Sequence, residues 1–301
     1  MSLNGLERSI ILSISYSNVF STPLNSSEVW LRLISPEVVP LKKVQECLAK
    51  LVKENYLVKF GDYYSLLDKD LSGLKQKREV YSKEKLVEAR RLISKAKLIP
   101  FVKAIVITGS VSVSNAKKND DIDWLIITSK NSLWITRPLI IMIAIFNGKR
   151  RERSGNHRDN SWCFNMFMSD EDLAITKEKR SVYTAYEVCQ AKFVYDSNGV
   201  EKKFLNVNSW SRKYLKNFYK SRVDEVKSRS INYKLSYSNN IINNLLNNFL
   251  FYIQYLYMKK RITREIVEKN VAFFHPRNTH GKVLKQWKNI ITENLNANYR
   301  D

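Results

Sequence analysis

Apolar positions recur at helical spacing through the first fifty residues. Residues 6–20, LERSIILSISYSNVF, place Leu6, Ile10, Ile11 and Ile14 on one side of a helix. Residues 25–34, NSSEVWLRLI, set Val29, Leu31 and Leu33 behind Asn25 and Ser26, both residue types that cap helix N-termini. Residues 40–55, PLKKVQECLAKLVKEN, open on Pro40 and align Leu41, Val44, Leu48, Leu51 and Val52 on one face. The period then changes. Residues 56–66, YLVKFGDYYSL, read as two short strands around Gly61-Asp62, a hairpin turn signal. A polar junction containing Gly73 leads into a helix within 68–99 that aligns Leu86, Ala89, Leu92, Ile93 and Ala96.

Beyond residue 100 the apolar runs shorten. The pattern predicts a strand at 103–108, a turn at Gly109-Ser110, a short helix or loop, and a strand at 122–128. A helix follows at 131–147, then a charged loop at 147–160 and a strand at 161–169. Residues 181–195 and later segments look helical, and 238–261 reads as a long amphipathic helix whose aromatics fit a core or present tyrosines for base stacking. The most apolar window, LWITRPLIIMIAIF at 133–146, contains Arg137 and Pro138. It is shorter than the roughly 20 residues a bilayer requires, so a buried helix is expected and no membrane span. The chain divides into 1–70, 71–180 and 181–301, with no internal repeat. The fold class is α+β: a small mixed sheet flanked by helices, with a C-terminal helical bundle.

Three short helices and a hairpin, in that order, resemble a winged helix-turn-helix. In such a domain the third helix enters the major groove. Its outward residues here would be Lys42, Lys43, Gln45, Glu46, Lys50 and Lys53. That face suits DNA, and it equally suits plain solvation.

Composition narrows the classes. The chain has 301 residues, 44% of them hydrophobic, which fits a globular protein with a real core and excludes a disordered tail. Lys and Arg number 51 against 29 Asp and Glu, a formal charge of +22. Such an excess points to polyanions: nucleic acid, nucleotides or an anionic membrane surface. A Lys- and Asn-rich chain from A/T-rich coding would carry the same charge. Cys47, Cys163 and Cys189 show no CxxC, and His157, His275 and His280 share no ligand spacing. The cysteines fit small core residues in a reducing compartment. Glu7 and Arg8 precede only a short apolar stretch with no small-residue cleavage site, so no signal peptide is expected and the location is read as cytoplasmic.

The chemistry concentrates in AIVITGSVSVSNAKKNDDIDWLIIT, residues 104–128. Asp120, Asp121 and Asp123 stand together at the head of an apolar run, and three close carboxylates need compensation from local cations or a metal ion. In a strand, Asp121 and Asp123 project from one face and Ile122 from the other. Two hard oxygen ligands on one rigid face suit Mg²⁺. Asp120 falls outside the alternation and reads as supporting or solvated. Gly109 at the end of the preceding strand lets backbone approach a phosphate, and Ser110 can donate to it.

An apolar strand, Gly-Ser, ten residues and Asp-x-Asp in a second apolar strand resemble the nucleotidyltransferase superfamily of the DNA polymerase beta type. VITGS and DDIDWLII carry the resemblance, which covers about 85–175. It implies a nucleotidyltransferase core in which Gly109 and Ser110 bind phosphate and Asp121 and Asp123 hold two Mg²⁺ ions. It further implies transfer of a nucleoside monophosphate from an NTP, ATP by default, onto an acceptor that the basic charge tilts towards nucleic acid. The family's third carboxylate comes from a later strand. Here that strand offers Cys163 and Asn165, and Asp170, Glu171 and Asp172 after it look like a turn. Asn165 can offer its oxygen to a metal or an acceptor. Lys117 and Lys118 can offset the acids or touch phosphate. Arg150 and Arg151, in KRRER with Arg158 beyond, can grip triphosphate or stay solvated. The alternative is a winged-helix nucleic-acid-binding regulator whose nucleotide-binding domain is inactive. AFFHPRNTHGK, with His275, Pro276, Arg277 and Lys282, fits a pocket wall or a loop.

Overall fold

Asn4 starts the first helix. Its Oδ1 accepts from the N–H groups of Leu6 and Glu7, and the Glu7 carboxylate accepts from the Asn4 N–H in return. The reciprocal cap satisfies first-turn donors that have no partner inside the helix. Helix α1 runs Gly5–Asn18. Asn25 and Glu28 repeat the device behind strand β1 (Leu24–Asn25) and open α2 (Ser26–Leu31). Helix α3 (Leu41–Lys53) follows Pro40, and β2 (Val58–Phe60) and β3 (Tyr63–Ser65) close a hairpin at Gly61. Strand β1 joins that hairpin in the order β1-β3-β2. Ile10, Ile14, Val29, Val44, Leu48 and Leu51 are fully buried in one core beneath it. Each such side chain contributes roughly 1.5–3 kcal/mol.

This computed structural model describes residues 3–66, 69–150, 161–229, 241–260, 262–274 and 278–297. After α4 (Ser72–Ala96) come β4 (Val102–Thr108), α5 (Gly109–Ser112), β5 (Ile122–Thr128), α6 (Leu133–Phe146) and β6 (Trp162–Ser169). The remainder holds α7 (Val182–Gln190), β7 (Lys192–Asp196), α8 (Val200–Val207), α9 (Lys216–Ser228), α10 (Ile241–Lys259), β8 (Ile266–Val267), β9 (Val271–Phe273) and α11 (Thr279–Ala297). The protein is mixed α and β. Its larger sheet has the order β7-β4-β5-β6-β9-β8. Among the described strands of this sheet only β5 and β6 pair parallel, and α6 lies between them in the chain, as a parallel crossover requires.

Alternation splits the sheet between two cores. Val106, Leu125, Ile127 and Met168 face α7, α8 and α9; Ile105, Ile107, Trp124, Ile126 and Phe167 face α4, α6 and α10. Helix α10 docks on α6 through polar groups that α6 leaves open. Trp134 N–H, a first-turn donor, reaches Asn247 Oδ1 at 2.8 Å. Pro138 has no N–H to bond the Trp134 carbonyl one turn back, and Gln254 Nε2 donates to that carbonyl at 2.9 Å instead.

Several expectations need correction. Residues 181–195 are not one helix but α7 followed by β7, because Phe193 packs into one core and Val194 into the other. The C-terminal third is not a separate helical bundle: β7, β8 and β9 enter the central sheet, and its helices cover the sheet's two faces. Helix α6 is buried on one side only: Leu133, Trp134, Ile140 and Ala144 are buried, while Met142, Ile145 and Phe146 are exposed. Among the aromatics of α10, Phe251 packs on Trp134, but Phe249, Tyr252 and Tyr257 are exposed beside Leu245 and Leu256. No described helix is long and apolar enough to cross a membrane.

Candidate active site

Strands β4 and β5 pair with Thr108 opposite Asp123. Gly109 follows at once, with φ of +64°. A Cβ added there would stand 2.6 Å from Asp123 Oδ2. Both the backbone conformation and the close approach therefore require glycine. Asp123 shares its face of β5 with Leu125 and Ile127, and so sits at the margin of the core under α7. Asp121 lies one residue before the strand, where the same alternation would continue.

Asn165 reaches Asp123 through an irregularity in β6. Asp123 lies opposite Cys163 and Leu125 opposite Met166, so three steps on β6 answer two on β5. The extra residue is a bulge, a device that re-aims side chains. Asn165 Nδ2 donates to Asp123 Oδ1 at 2.8 Å. Asn165 is only 7% exposed, and its Oδ1 is buried with no hydrogen-bond partner among the described residues. Leaving an amide oxygen so placed costs about 1–3 kcal/mol, which a ligand would recover.

The loop between the two strands compensates Asp120 internally. Ser110 Oγ and Lys117 N–H each donate to Asp120 Oδ2 at 2.9 Å. Asp120 is thus an anchor for the Gly-Ser turn, a closer role than the sequence indicated. Lys85, buried on α4, donates to the carbonyls of Lys118 and Asp120 at 2.8 and 2.7 Å. Arg78 Nη1 ties Asn115 of the same loop to the Phe20 carbonyl of the N-terminal unit. The side chains of Lys117 and Lys118 are exposed. Arg150 is exposed where the chain bridges to Trp162. Arg151, Arg158 and His157, like His275, Pro276 and Arg277, lie outside the described residues.

The acidic turn after β6 stands at the wrong end to substitute for a third acid. Asp170 N–H bonds the Thr128 carbonyl, five residues along β5 from Asp123 and about 17 Å away at strand spacing. Glu171 pairs there with Lys130.

One further acid, on α7, feels the charge of Asp123. Glu187 is half-buried on the helix that covers the Asp123 face, and it makes no hydrogen bond or ion pair among the described residues. Burial first, and then the charge of Asp123, push its carboxyl up to about 7. Tyr183, one turn earlier, is also pushed up, by burial and then by Glu187 and Asp123. Its ring lies 5.2 Å from that of His280, which hydrogen-bonds Ser181 Oγ at 3.0 Å. Sequence reasoning missed Glu187. Its signal was a lone charged residue in VYTAYEVCQ.

On α3, Lys42, Lys43, Gln45, Glu46 and Lys53 are exposed as expected, while Lys50 turns onto Glu7 at 2.7 Å. Among the described residues, no group of three or more His, Cys, Asp or Glu stands close enough to hold a metal ion. Set beside protein-family models, curated proteins and solved structures, the chain matches none of them.

Proposed function

We propose that the protein is a Mg²⁺-dependent nucleotidyltransferase of the DNA polymerase beta type, moving a nucleoside monophosphate from an NTP to an acceptor hydroxyl. One observation carries the reading: Gly109, Asp123 and the buried Asn165 amide converge where β4, β5 and β6 meet. The N-terminal unit reads as a winged helix set against this core. ATP is the default nucleotide and a nucleic acid the favoured acceptor, given the charge of +22.

The donor set fits the ion. Mg²⁺ takes one or two protein carboxylates together with substrate phosphates, and an unbonded amide oxygen beside them is a further hard ligand. Asp121, Asp123 and Asn165 Oδ1 would hold it. When bound, the ion supplies charge neutralisation for the triphosphate and acidifies the attacking hydroxyl. Gly109 leaves room for the Asp123 carboxylate against the backbone. Ser110, whose hydroxyl is engaged by Asp120, keeps the turn in shape, so phosphate contact falls to the backbone N–H groups.

Calorimetric titration with non-hydrolysable NTPs tests this, with and without Mg²⁺, beside the Asp121→Asn/Asp123→Asn double variant. Micromolar binding that needs Mg²⁺ and vanishes in the variant is the expected result. If no NTP binds, the transferase reading is overturned. The exposed Lys42 and Lys43 would then favour the second reading, a nucleic-acid-binding regulator with an inactive nucleotide domain, recognised by steeply salt-dependent duplex binding.

A further inference from the structure

Helix α10 carries apolar side chains nearly all round, and only one side of it is engaged among the described residues. On that side Asn247, Phe251 and Gln254 meet Trp134 of α6, and Met258 is buried in the same core. On the other side Ile242, Leu245, Phe249, Tyr252 and Leu256 recur at alternating steps of three and four, the spacing a helix presents to a partner helix. They and the adjoining Leu246 and Ile253 are 43% to 70% exposed. A helix face turned to water ordinarily carries charge. In a chain 27% charged, residues 241–258 contain no Asp, Glu, Lys or Arg.

At roughly 200 Å² for a fully open side chain of this size, these seven leave about 800 Å² of apolar surface. That exceeds the roughly 300–600 Å² patch of a typical monomer and matches the about 800 Å² each partner gives to a stable interface. We propose that a second copy of this chain covers the face, α10 packing antiparallel against its counterpart about a twofold axis at Phe249. The face is its own complement. Reversed about Phe249, Ile242 falls on Leu256, Leu245 on Ile253 and Leu246 on Tyr252. Charge selects both the partner and the direction. Two chains of formal charge +22 repel, and a seam without ions is where they can meet. Lys259 and Lys260 stand beyond its C-terminal end. Antiparallel packing holds the two pairs about 30 Å apart, past the ~8–10 Å Debye length, whereas parallel packing sets them side by side. A lipid surface fits less well. Helices that lie on anionic membranes carry Lys and Arg on the polar face, and here the polar groups are Asn247 and Gln254, bonded to α6.

The test is the mass of the full chain by sedimentation equilibrium at ~10 μM, above the micromolar-to-picomolar dissociation constants of interfaces this size. Wild type is expected at twice the 35.3 kDa of one chain. Leu245→Glu/Phe249→Glu should weaken association at least ~100-fold, because like charges then face each other across an apolar seam. Its far-UV circular dichroism should not change, since both side chains are exposed in the single chain. On oxidation Phe249→Cys should cross-link to its counterpart, while Ile242→Cys, about 21 Å from its own along the axis, should not. Wild type, whose Cys47 is half-buried, is the control. A wild-type mass of one chain overturns the proposal, and so does a dimer that survives Leu245→Glu/Phe249→Glu. Cross-linking through Ile242→Cys, or a dimer that Phe249→Cys does not cross-link, overturns the antiparallel arrangement. A single-chain mass together with flotation on phosphatidylcholine–phosphatidylserine vesicles assigns the face to lipid instead.

Discussion

Gly61 and Gly109 both adopt positive φ, +57° and +64°, yet they answer to different neighbours. Around Gly61, in the hairpin of the N-terminal unit, an added Cβ meets nothing within 4 Å. Around Gly109 it meets the Asp123 carboxylate. The two regions differ throughout in this way. In the N-terminal unit, caps are reciprocal, the Lys50 charge is paired, and the core is apolar. At the meeting of β4, β5 and β6, an amide oxygen is buried with no hydrogen-bond partner among the described residues, and a half-buried carboxyl on α7 likewise has none among them. Proteins break local rules where something else must be accommodated. The contrast supports the second region, rather than the first, as the candidate site.

The sharpest way to break the contrast is to put alanine at both glycines. Gly61→Ala should cost about 1–2 kcal/mol from the left-handed backbone alone. Gly109→Ala should cost the same backbone term and also push Asp123 off its position, so Mg²⁺·ATP affinity should fall at least ~10-fold, about 1.4 kcal/mol. Denaturant midpoints and calorimetry on both variants check this. An equal effect on binding from the two would remove the special standing of Gly109.

Next in size is the pH dependence of Glu187. Its folded carboxyl is raised to about 7, above the ordinary unfolded value. A raised acid is fully accommodated below the unfolded value near 4.3, and stability is lost as pH rises through 7. Glu187→Gln removes that loss. In EDTA the variant should match wild type at pH 4 and exceed it at pH 8 by about 2 kcal/mol, the ~3.5 kcal/mol of the full shift lessened by solvent screening of a half-buried group. Urea midpoints at the two pH values measure it, and a variant less stable at pH 8 would contradict the placement of Glu187.

Glu7 gives the opposite sign. Lys50 and the Asn4 N–H hold its carboxyl below the ordinary range. Its contribution is present above the unfolded value and is lost as pH falls through the folded one. Glu7→Gln should cost about 1 kcal/mol at pH 7, and the gap should close below about pH 4.

Much of this was legible in the chain because local patterns carried it. The helices at 5–18, 41–53 and 241–259 follow apolar stripes, and β5 begins at Ile122, where the alternation predicts. Asn165 was placed on the right strand facing the acids. What stayed hidden depended on distant partners. Strand β1 is two residues long and exists only because β3 lies beside it. Strand β7 follows a helix within two residues and is fixed by β4. The Ser110–Asp120 bond spans a loop whose course spacing does not define. Glu187 belongs to a helix that shares a core with Leu125 and Ile127 of β5, sixty residues away in the chain, a relation that no motif encodes.

The smallest expected effect belongs to α3. Lys42 and Lys43 are exposed, and neither holds the fold together. Lys42→Ala/Lys43→Ala should shift stability by less than about 0.5 kcal/mol and leave Mg²⁺·ATP binding unchanged. Duplex binding is the informative readout, because each cation that neutralises a phosphate steepens the dependence on salt. If α3 lies against nucleic acid, the pair should lower the slope of log K against log salt by about 2. A slope that does not move makes α3 a solvated face, and any acceptor nucleic acid must then be held by cations nearer the acids. Either result bears on the comparison. A changed slope gives the scaffold region a share in substrate capture, while an unchanged one confines binding and chemistry to the corner built by Gly109, Asp123 and Asn165.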